Sequence, residues 1–407
     1  MSDFVPPPET PHEPRLGDRA LFPRLGARVY ANHAGISAPS IAVTEAARAV
    51  YEDYERRGSS AFVTWLAQRN RLKTKLARLI GAREEAEIAL TQNTTRGVID
   101  IALCFPWNKG DRIVLFEGEF PSNVTPWQRA AAAFGLEVVF LRAADYLESR
   151  ESALSQLENT LRSGIRLVAV SAVEFQTGFR MPLPEISALC RAAGAELFVD
   201  AVQACGIVPT DVERDGIDYL ACGSHKWMMG VEGCGFLYAR KDRAENLRPN
   251  VAGWLSHEDG IGFLFNGEGH LRYDRGFKRT IEVVEGGNTN AAGFAALEAS
   301  LDLIQKIGVE TIFAHVQRYH DALEAGLLAL GFRSLRSPDP ARRSGSLGVT
   351  PPPGVSVQDL HRELWDRGIG CAMPDGILRF SPHWPNAEHE VPVILAATSA
   401  ILAARAG

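Results

Sequence analysis

Short apolar runs alternate with helix-like segments through the middle of the chain, and this alternation constrains the fold most strongly. Strands are predicted at 112–116, 136–141, 166–171, 196–200, 217–223 and 234–239, and helices between them at 124–134, 151–162 and 183–194. Strands that alternate with helices form βαβ units, which build a mostly parallel sheet covered on both faces. We therefore predict an α/β fold, with ligands bound beyond the carboxyl ends of the strands.

The remainder of the chain divides into three expected parts. These are an N-terminal arm (1–30), a large domain (31–290) and a small C-terminal domain (291–407). Further helices are predicted at about 41–57, 65–80, 290–305, 310–330, 356–367 and 388–405, and short strands near 346–350 and 377–381. The small domain is therefore expected to be α+β. Segments 241–285 and 333–345 are interpreted as loops, the second as an exposed, solvated basic loop.

Composition and charge exclude several classes of protein. The 407 residues are 46% hydrophobic with a formal net charge of -6, whereas a general nucleic-acid binder needs a basic face. No apolar run reaches the roughly 18 residues of a membrane span, and the Pro-rich N-terminus does not resemble a secretory signal. The six cysteines form no C-x-x-C pair. We expect a cytoplasmic protein that binds neither nucleic acid nor membrane, and no metal site.

Two polar residues follow the ends of predicted strands and suggest a particular chemistry. Asp200 ends one apolar strand, and Lys226 follows the next. A buried carboxylate needs a cationic partner, and burial lowers the pKa of a lysine. Such an amine can form a Schiff base with a carbonyl. Pyridoxal phosphate (PLP) carries both an aldehyde and a pyridine nitrogen, so this pair predicts PLP as the cofactor.

The residues around this pair carry a family resemblance. Asp200-Ala201-Val202-Gln203, followed by Ser224-His225-Lys226-Trp227, resembles the class V aminotransferase family of fold-type I PLP enzymes. That family includes cysteine desulfurases, selenocysteine lyases and isopenicillin-N-epimerase-like proteins. The resemblance covers nearly the whole chain. It implies a mostly parallel, seven-stranded type of sheet between helices, a smaller C-terminal α+β domain, and a homodimer with shared active sites.

The resemblance also implies roles for individual residues. Lys226 would form the Schiff base and act as general base at Cα, Asp200 would hold the ring nitrogen, and His225 would assist. Thr94 and Thr95 open a helix whose N-terminus suits a phosphate, and Phe120 would stack on the ring. The implied cofactor contacts are Asn93, Thr94, Thr95, Phe120, Gln176, Asp200, Gln203, Ser224, His225, Lys226, Asn288 and Thr289.

The substrate would be bound by three further residues. Arg379 lies in a segment, 376–383, that resembles the family's C-terminal signature, where an arginine binds the substrate carboxylate. Asn32 and His33 are candidates on the substrate side, although His33 suits a structural role equally well. The implied substrate is a small amino acid.

The reaction at Cα stays open at this point. We expect transamination or β-elimination. The alternatives are a cysteine desulfurase or selenocysteine lyase that uses Cys371, an amino-acid epimerase, or a regulatory binding module without catalysis. Cys371 lies only eight residues before Arg379, without the longer loop typical of desulfurases, so we favour a buried thiol.

Overall fold

The fold was obtained as a computed structural model that describes residues 13–287 and 290–406. The strands in these residues are β1 (Val29–Tyr30), β2 (Ile88–Thr91), β3 (Arg112–Glu117), β4 (Glu137–Arg142), β5 (Ile165–Ser171), β6 (Glu196–Asp200), β7 (Tyr219–Gly223), β8 (Gly235–Ala239), β9 (Arg333–Ser334), β10 (Leu347–Thr350), β11 (Ile369–Gly370) and β12 (Leu378–Phe380). The helices are α1 (Ile41–Arg57), α2 (Phe62–Ile80), α3 (Thr94–Cys104), α4 (Thr125–Phe134), α5 (Asp145–Glu148), α6 (Arg150–Leu161), α7 (Leu183–Ala193), α8 (Lys241–Ala244), α9 (Gly262–Phe265), α10 (Ala291–Ile307), α11 (Val309–Ala329), α12 (Val357–Asp366) and α13 (Val391–Ala406).

Seven strands form the central sheet, in the order β2-β8-β7-β6-β5-β3-β4. The pairs from β7 to β4 are parallel, whereas β8 is antiparallel to both of its neighbours. Parallel neighbours need a crossover of a dozen or more residues, and here helices supply most of them. Residues 224–234, which contain no helix or strand, join β7 to β8, and these two strands pair antiparallel as a hairpin. The predicted α/β fold with a mostly parallel sheet is confirmed.

Both faces of this sheet are buried, which explains why its strands are apolar throughout. Along β5, Leu167 and Ala169 pack into one hydrophobic core, while Val168 and Val170 pack into another on the opposite face. Alternate side chains of a strand point to opposite faces, so helices must cover both. Each such buried aliphatic side chain stabilises the fold by about 1.5–3 kcal/mol relative to an exposed one.

The sheet register sets the place of the site. Ser171 at the end of β5 is the partner of Asp200 at the end of β6, and Asp200 is in turn the partner of Ala221 in β7. The carboxyl ends of these parallel strands therefore lie along one edge. The loop after β3, which carries Glu119 and Phe120, leaves from the same edge.

A second, smaller group of strands and helices is formed by the C-terminal part of the chain together with a segment near its beginning. Strands β12, β10 and β9 form an antiparallel sheet, which α11, α12 and α13 cover around a third apolar core. The short strand β1 pairs in parallel with β11, and Asn32 bridges to Ser381. Segment 29–34 is thereby joined to the C-terminal strands. The predicted domain boundaries stay predictions.

The structure corrects the interpretation of 333–345 as a solvated basic loop. The Arg336 side chain is only 3% exposed and forms ion pairs of 2.7 Å with Asp321 and Glu324 of α11. Arg342 is similarly covered and pairs with Glu185 at 2.8 Å. The arginines hold this segment against its neighbours, because their charges are matched by acids that lie far away in sequence. Segment 241–285 is mainly loop, as predicted, apart from the short helices α8 and α9.

None of the helices within the described ranges is both long enough and apolar enough to cross a membrane.

Candidate active site

Lys226 lies in the turn between β7 and β8, at the carboxyl edge of the sheet. Its Nζ atom is 5.5 Å from the centroid of the Phe120 ring. The pKa of the amine is lowered to about 8, chiefly by burial. The charge of Asp200 acts to raise this pKa, and the charge of Arg379 acts to lower it. A substantial fraction of such an amine is neutral near pH 8, so Lys226 can act as a nucleophile or a base.

Asp200 ends β6 next to this amine and is 2% exposed. Its carboxylate accepts a 2.9 Å hydrogen bond from the Val202 N–H. Burial raises the pKa of Asp200 to about 6, while the Val202 hydrogen bond and the charge of Lys226 counteract the rise. An anion in this position is stabilised by a cation brought to it.

Glu119 is a second carboxyl group at this edge, and the sequence analysis assigned it no role. It accepts hydrogen bonds from the Ser171 N–H, at 2.6 Å, and from the Ser171 hydroxyl. Burial raises its pKa to about 7, and the charge of Asp200 adds to the rise, whereas the Ser171 bonds lower it. The sequence could have identified Glu119 as a candidate, because it follows an apolar strand just as Asp200 ends one.

Two aromatic rings form a wall beside the amine. The Phe120 ring meets the Phe175 ring edge-on, with centroids 5.4 Å apart. Phe120 is 45% exposed, so its ring is not part of the apolar core. The structure therefore places Phe120 next to Lys226, and its stacking on the cofactor ring stays a prediction.

The N-terminus of α3 lies beside the same turn. Thr94 accepts a 2.9 Å hydrogen bond from the Gly223 N–H, and the Thr95 hydroxyl is 2.8 Å from that of Ser122. Asn93 caps the helix by accepting from the Arg96 N–H.

The close packing of α3 requires a glycine. A Cβ at Gly97 would lie 2.8 Å from Ala221 Cβ, so only glycine lets α3 approach β7 this closely. A Cβ at Gly223 would be 3.2 Å from both the Thr94 hydroxyl and the His225 ring, so these two groups are neighbours. Burial lowers the pKa of His225, and the charge of Lys226 lowers it further. A helix N-terminus with a hydroxyl and an imidazole beside it can hold a phosphate.

Three predicted cofactor contacts already have protein partners. The buried Ser224 hydroxyl donates to the Val231 carbonyl at 2.6 Å. The Gln203 amide donates to the Ala34 carbonyl at 3.1 Å and accepts from the Trp227 indole at 2.8 Å. The Gln176 amide donates to Asp375 at 3.1 Å. The structure thus gives these side chains bonds within the protein that the sequence analysis did not foresee.

Arg379, in the middle of β12, is a buried cation that lacks an acidic partner. It is 4% exposed, its Nη1 donates to the Phe175 carbonyl, and its Nε has no hydrogen-bond partner. No carboxylate within the described ranges forms an ion pair with it, although the charge of Glu174 acts to raise its pKa. Burial lowers its pKa to about 10. A guanidinium in this state can bind a carboxylate through two parallel hydrogen bonds.

The two N-terminal candidates differ in their surroundings. Asn32 has a buried Oδ1 without a hydrogen-bond partner. His33 is 1% exposed, and its Nδ1 lies 2.8 Å from the Ser37 hydroxyl, which donates to the Lys226 carbonyl at 2.5 Å. Burial lowers the pKa of His33 well below its usual range. His33 therefore supports the Lys226 backbone through Ser37, and its place on the substrate side stays a prediction.

Asn288 and Thr289 lie outside the described residues, but the segment before them is firmly held. Glu285 is 6% exposed and accepts from the Leu90 N–H at 2.6 Å. It also pairs with Arg69 at 2.9 Å and with Lys73 at 2.8 Å. One carboxylate thus fastens this segment to β2 and α2.

Cys371 is 1% exposed and packs in the C-terminal core. Burial raises the pKa of its thiol to about 12. All six cysteines are free and buried. A thiol that remains protonated and covered is a poor nucleophile.

Comparison with known proteins bears on what this arrangement does. A probable cysteine desulfurase from Pyrococcus abyssi is 30% identical over 325 residues, covering 76% of this chain and 77% of its own. Isopenicillin N epimerase from Streptomyces clavuligerus is 27% identical over 326 residues, covering 78% and 81%.

Solved structures agree with the sequence comparison. A C-DES mutant with glycine covalently linked to the PLP cofactor is 26% identical, with a TM-score of 0.85 over 94% of this chain and 99% of that one. The cystine C-S lyase C-DES in complex with its product, cysteine persulfide, has a TM-score of 0.84 at 26% identity, over 93% and 99%.

The family model for aminotransferase class-V matches residues 29–376, which include the sheet edge with Lys226 and Asp200. The match covers most of the chain, so the predicted family and the expectation of an enzyme are confirmed. This protein belongs to the class-V aminotransferase family.

Proposed function

We propose that this protein is a PLP-dependent enzyme that acts at Cα of an amino acid, by transamination or β-elimination. One observation carries the proposal: an amine of lowered pKa, a buried carboxylate and a buried, unpaired guanidinium surround one edge of the sheet. These are Lys226, Asp200 and Arg379. None of the three forms an ion pair within the described residues, and a cofactor and an amino acid together would supply a charged partner for each.

The residues at this edge fit PLP. Asp200 has a raised pKa, so a pyridine nitrogen that carries a proton would stabilise its anion. The N-terminus of α3, with Thr94, Thr95 and His225, would hold the phosphate. Phe120 offers an exposed ring face next to Lys226, where a flat heterocycle can stack. When bound, PLP supplies an electron sink for the electron pair left at Cα.

The protein's own side chains would bind the substrate and move its proton. Arg379 would bind the carboxylate of the amino acid and so orient the bonds at Cα. Lys226, with a pKa of about 8, would take the Cα proton and later return it. The Phe120 ring, which lies 5.5 Å from the amine and packs edge-on against Phe175, would shield one side of the amine from water.

Several observations favour β-elimination, with the leaving group released to solution, or transamination. They disfavour a desulfurase route in which a cysteine of the enzyme carries a persulfide. Cys371 is buried with a pKa of about 12, and all six thiols are covered. A persulfide route requires an accessible thiolate. C-DES, a structural neighbour, is named a cystine C-S lyase.

We also propose a homodimer in the cytoplasm. Asn288 and Thr289 would reach the phosphate of the neighbouring subunit, which agrees with the firm attachment of Glu285 just before them. Free, unpaired cysteines are typical of a reducing compartment. The division at residues 30 and 290 is proposed on the basis of the family's two-domain design.

The first experiment would identify the lysine. Protein incubated with PLP would be reduced with borohydride, digested and examined by mass spectrometry. We expect the added mass on the Lys226 peptide, none in Lys226→Ala, and an unchanged result in Lys241→Ala, whose lysine lies on the surface. Modification of another lysine, or full turnover by Lys226→Ala, would contradict the proposal.

The second experiment would identify the reaction. A panel of amino acids would be assayed separately for keto acid, ammonia, sulfide and D-amino acid. Keto acid formed at the expense of an acceptor indicates transamination, and ammonia or sulfide indicates elimination. D-amino acid as the sole product would favour an epimerase, and binding of PLP without any turnover would favour a regulatory module.

A further inference from the structure

Four successive carbonyl groups in the turn that carries Lys226 accept hydrogen bonds from elsewhere in the chain. We call residues 224–230 the lysine turn. The four bonds run from the Ser37 N–H to the His225 carbonyl at 2.8 Å, from the Ser37 hydroxyl to the Lys226 carbonyl at 2.5 Å, from His383 Nε2 to the Trp227 carbonyl at 2.9 Å, and from the Ser300 hydroxyl to the Met228 carbonyl at 2.7 Å. Three separate parts of the chain therefore hold this turn.

The lysine turn has little support of its own. Two backbone hydrogen bonds close it, from the Met229 N–H to the Lys226 carbonyl at 2.9 Å and from the Gly230 N–H to the Ser224 carbonyl at 3.0 Å. Met229 adopts a left-handed conformation with a φ of 51°. A residue with a side chain keeps this conformation only where its surroundings fix it. The external bonds provide that fixation.

The direction of the bond from His383 is determined by its other nitrogen. Nδ1 accepts from the Trp384 N–H at 2.7 Å, so the ring proton is on Nε2, which donates to the Trp227 carbonyl. Burial lowers the pKa of His383 to about 3, so the ring is neutral at physiological pH. His383 Nε2 therefore carries its proton, and donates it to the Trp227 carbonyl, throughout the physiological pH range.

Ser37 is oriented by the same reasoning. Its hydroxyl has one proton, which goes to the Lys226 carbonyl, so the 2.8 Å contact with His33 must be donated by His33 Nδ1. His33 thus fixes the rotamer of Ser37. Its effect on the lysine is indirect.

The same two segments join Lys226 to Arg379. Ser381 donates its N–H to the Ala31 carbonyl at 2.7 Å and accepts from the His33 N–H at 3.0 Å. Segment 31–37 and segment 379–383 are therefore one hydrogen-bonded unit. This unit carries the unpaired guanidinium of Arg379 and also holds the backbone of Lys226.

We propose that Ser37 and His383 are positioning residues, which hold the Lys226 amine at a fixed place relative to Arg379. The inference rests on the proposed function, in which Lys226 would bind the cofactor carbonyl and Arg379 would bind the substrate carboxylate. Proton transfer at Cα requires the base within hydrogen-bond reach. A shift of about 1 Å in a reacting group costs about 100-fold in rate.

Matched variants test this proposal. Ser37→Ala and His383→Phe remove the two donors, and His383→Gln keeps an N–H near the position of Nε2. The controls are Ser187→Ala and His320→Phe, because these buried side chains contact the carbonyls of Gly216 and Gly345, which are outside the lysine turn. All proteins would be loaded with PLP before steady-state kinetics.

We expect Ser37→Ala and His383→Phe to lower kcat by about 10-fold to 100-fold with little change in KM. The pH midpoint at which the absorbance of the lysine-bound cofactor changes should also shift. His383→Gln should recover most of kcat, and both controls should resemble the wild type. Equal losses in variants and controls, or no recovery in His383→Gln, would overturn the role of the donors.

A measurement on the cofactor-free protein separates this inference from the proposed function. Amide hydrogen exchange at 229 and 230 should be faster in Ser37→Ala and His383→Phe than in the wild type, and unchanged in the two controls. Unchanged exchange would refute the role of Ser37 and His383 in holding the lysine turn, whether or not the protein binds PLP. Failure of the wild type to link PLP at Lys226, with faster exchange in the variants, would instead refute the proposed function.

Discussion

Three ionisable groups at the carboxyl edge of the sheet, one of them the Lys226 amine, have pKa values that burial moves toward neutrality. The pKa is raised to about 7 at Glu119 and to about 6 at Asp200, and it is lowered to about 8 at Lys226. Burial disfavours the charged form of each, and the two carboxyl groups also repel each other. Such a cluster changes its protonation between pH 5 and 9, which is the range in which an acid–base catalyst works.

Glu119 gives a prediction about stability. Its pKa is raised in the folded state, so its favourable contribution is present below about pH 4.5 and is lost as the pH rises through about 7. Glu119→Gln keeps the shape without the charge. In the cofactor-free protein it should be more stable than the wild type at pH 8, by roughly 1–3 kcal/mol, and nearly equal at pH 5.

Urea unfolding at both pH values would measure this difference. Glu52→Gln, at an exposed site on α1, serves as the control, and its free energy of unfolding should follow that of the wild type at both pH values. If Glu119→Gln has the same stability as the wild type at both pH values, the carboxyl group is not destabilised by burial.

Arg379 gives a prediction about substrate recognition. A guanidinium that binds the substrate carboxylate should matter only for substrates that have one. Arg379→Lys keeps a charge but loses the planar fork, so kcat/KM for the amino acid should fall by roughly 10-fold to 100-fold, or about 1.4–2.7 kcal/mol. The slow reaction of the corresponding amine, which lacks the carboxylate, should be unchanged. Equal losses for both compounds would contradict carboxylate binding.

At the scale of elements, a few buried ion pairs tie separate segments together. Glu285 links the segment before residue 288 to α2, through Arg69 and Lys73, and to β2, through the Leu90 N–H. Removing Glu285 leaves the buried Arg69 without an ion-pair partner, whereas Lys73 keeps its pair with Glu282. Because β2 leads directly into the N-terminus of α3, this carboxylate stabilises the elements beneath the predicted phosphate site.

We expect Glu285→Gln to destabilise the protein by about 3 kcal/mol or more, since it leaves the buried Arg69 without an anionic partner and Lys73 with Glu282 alone. The matched control is Glu158→Gln, which breaks the exposed pair with Arg162 in α6 and should cost about 1 kcal/mol or less. Chemical denaturation of both variants measures the difference. Similar losses at the two sites would contradict the view that burial gives the Glu285 pairs their weight.

At the scale of the whole molecule, segment 254–277 exposes an unusual number of large apolar side chains. These are Trp254, Leu264, Phe265, Leu271, Tyr273 and Phe277. Exposed apolar surface of this kind marks an interaction site in a water-soluble protein. A second copy of the chain is the partner that the proposed homodimer requires.

Phe265→Glu should therefore weaken dimerisation. Phe265 is 60% exposed, so the change does not disturb the core of a single chain. Sedimentation velocity over a range of concentrations should show a wild-type dimer and a largely monomeric Phe265→Glu protein. Leu328→Glu, at a site that is 50% exposed on α11, is the control and should remain dimeric. A monomeric wild type at micromolar concentration would refute the homodimer.

Local sequence was sufficient for the sheet and for the residues at its edge. Asp200 and Lys226 each adjoin a predicted apolar strand, so their place at the carboxyl edge follows from strand direction, whereas Thr94 is brought there by the pairing of β2 with β8. The helix boundaries were also close, because apolar periodicity and capping residues such as Asn93 and Ser356 are local signals. Fold class and family are therefore encoded in short stretches of residues.

The tertiary structure alone decided which polar side chains remain available to a ligand. Gln203 and His33 are bound to Ala34, Trp227 and Ser37, and Arg336 is paired with acids on α11, because the folded chain brings these distant partners into reach. Among the described residues Arg379 forms no ion pair, although Glu174 is close enough to raise its pKa, and its Nε keeps no hydrogen-bond partner. A sequence specifies residue types and local conformation, whereas hydrogen-bond partners depend on contacts between remote segments.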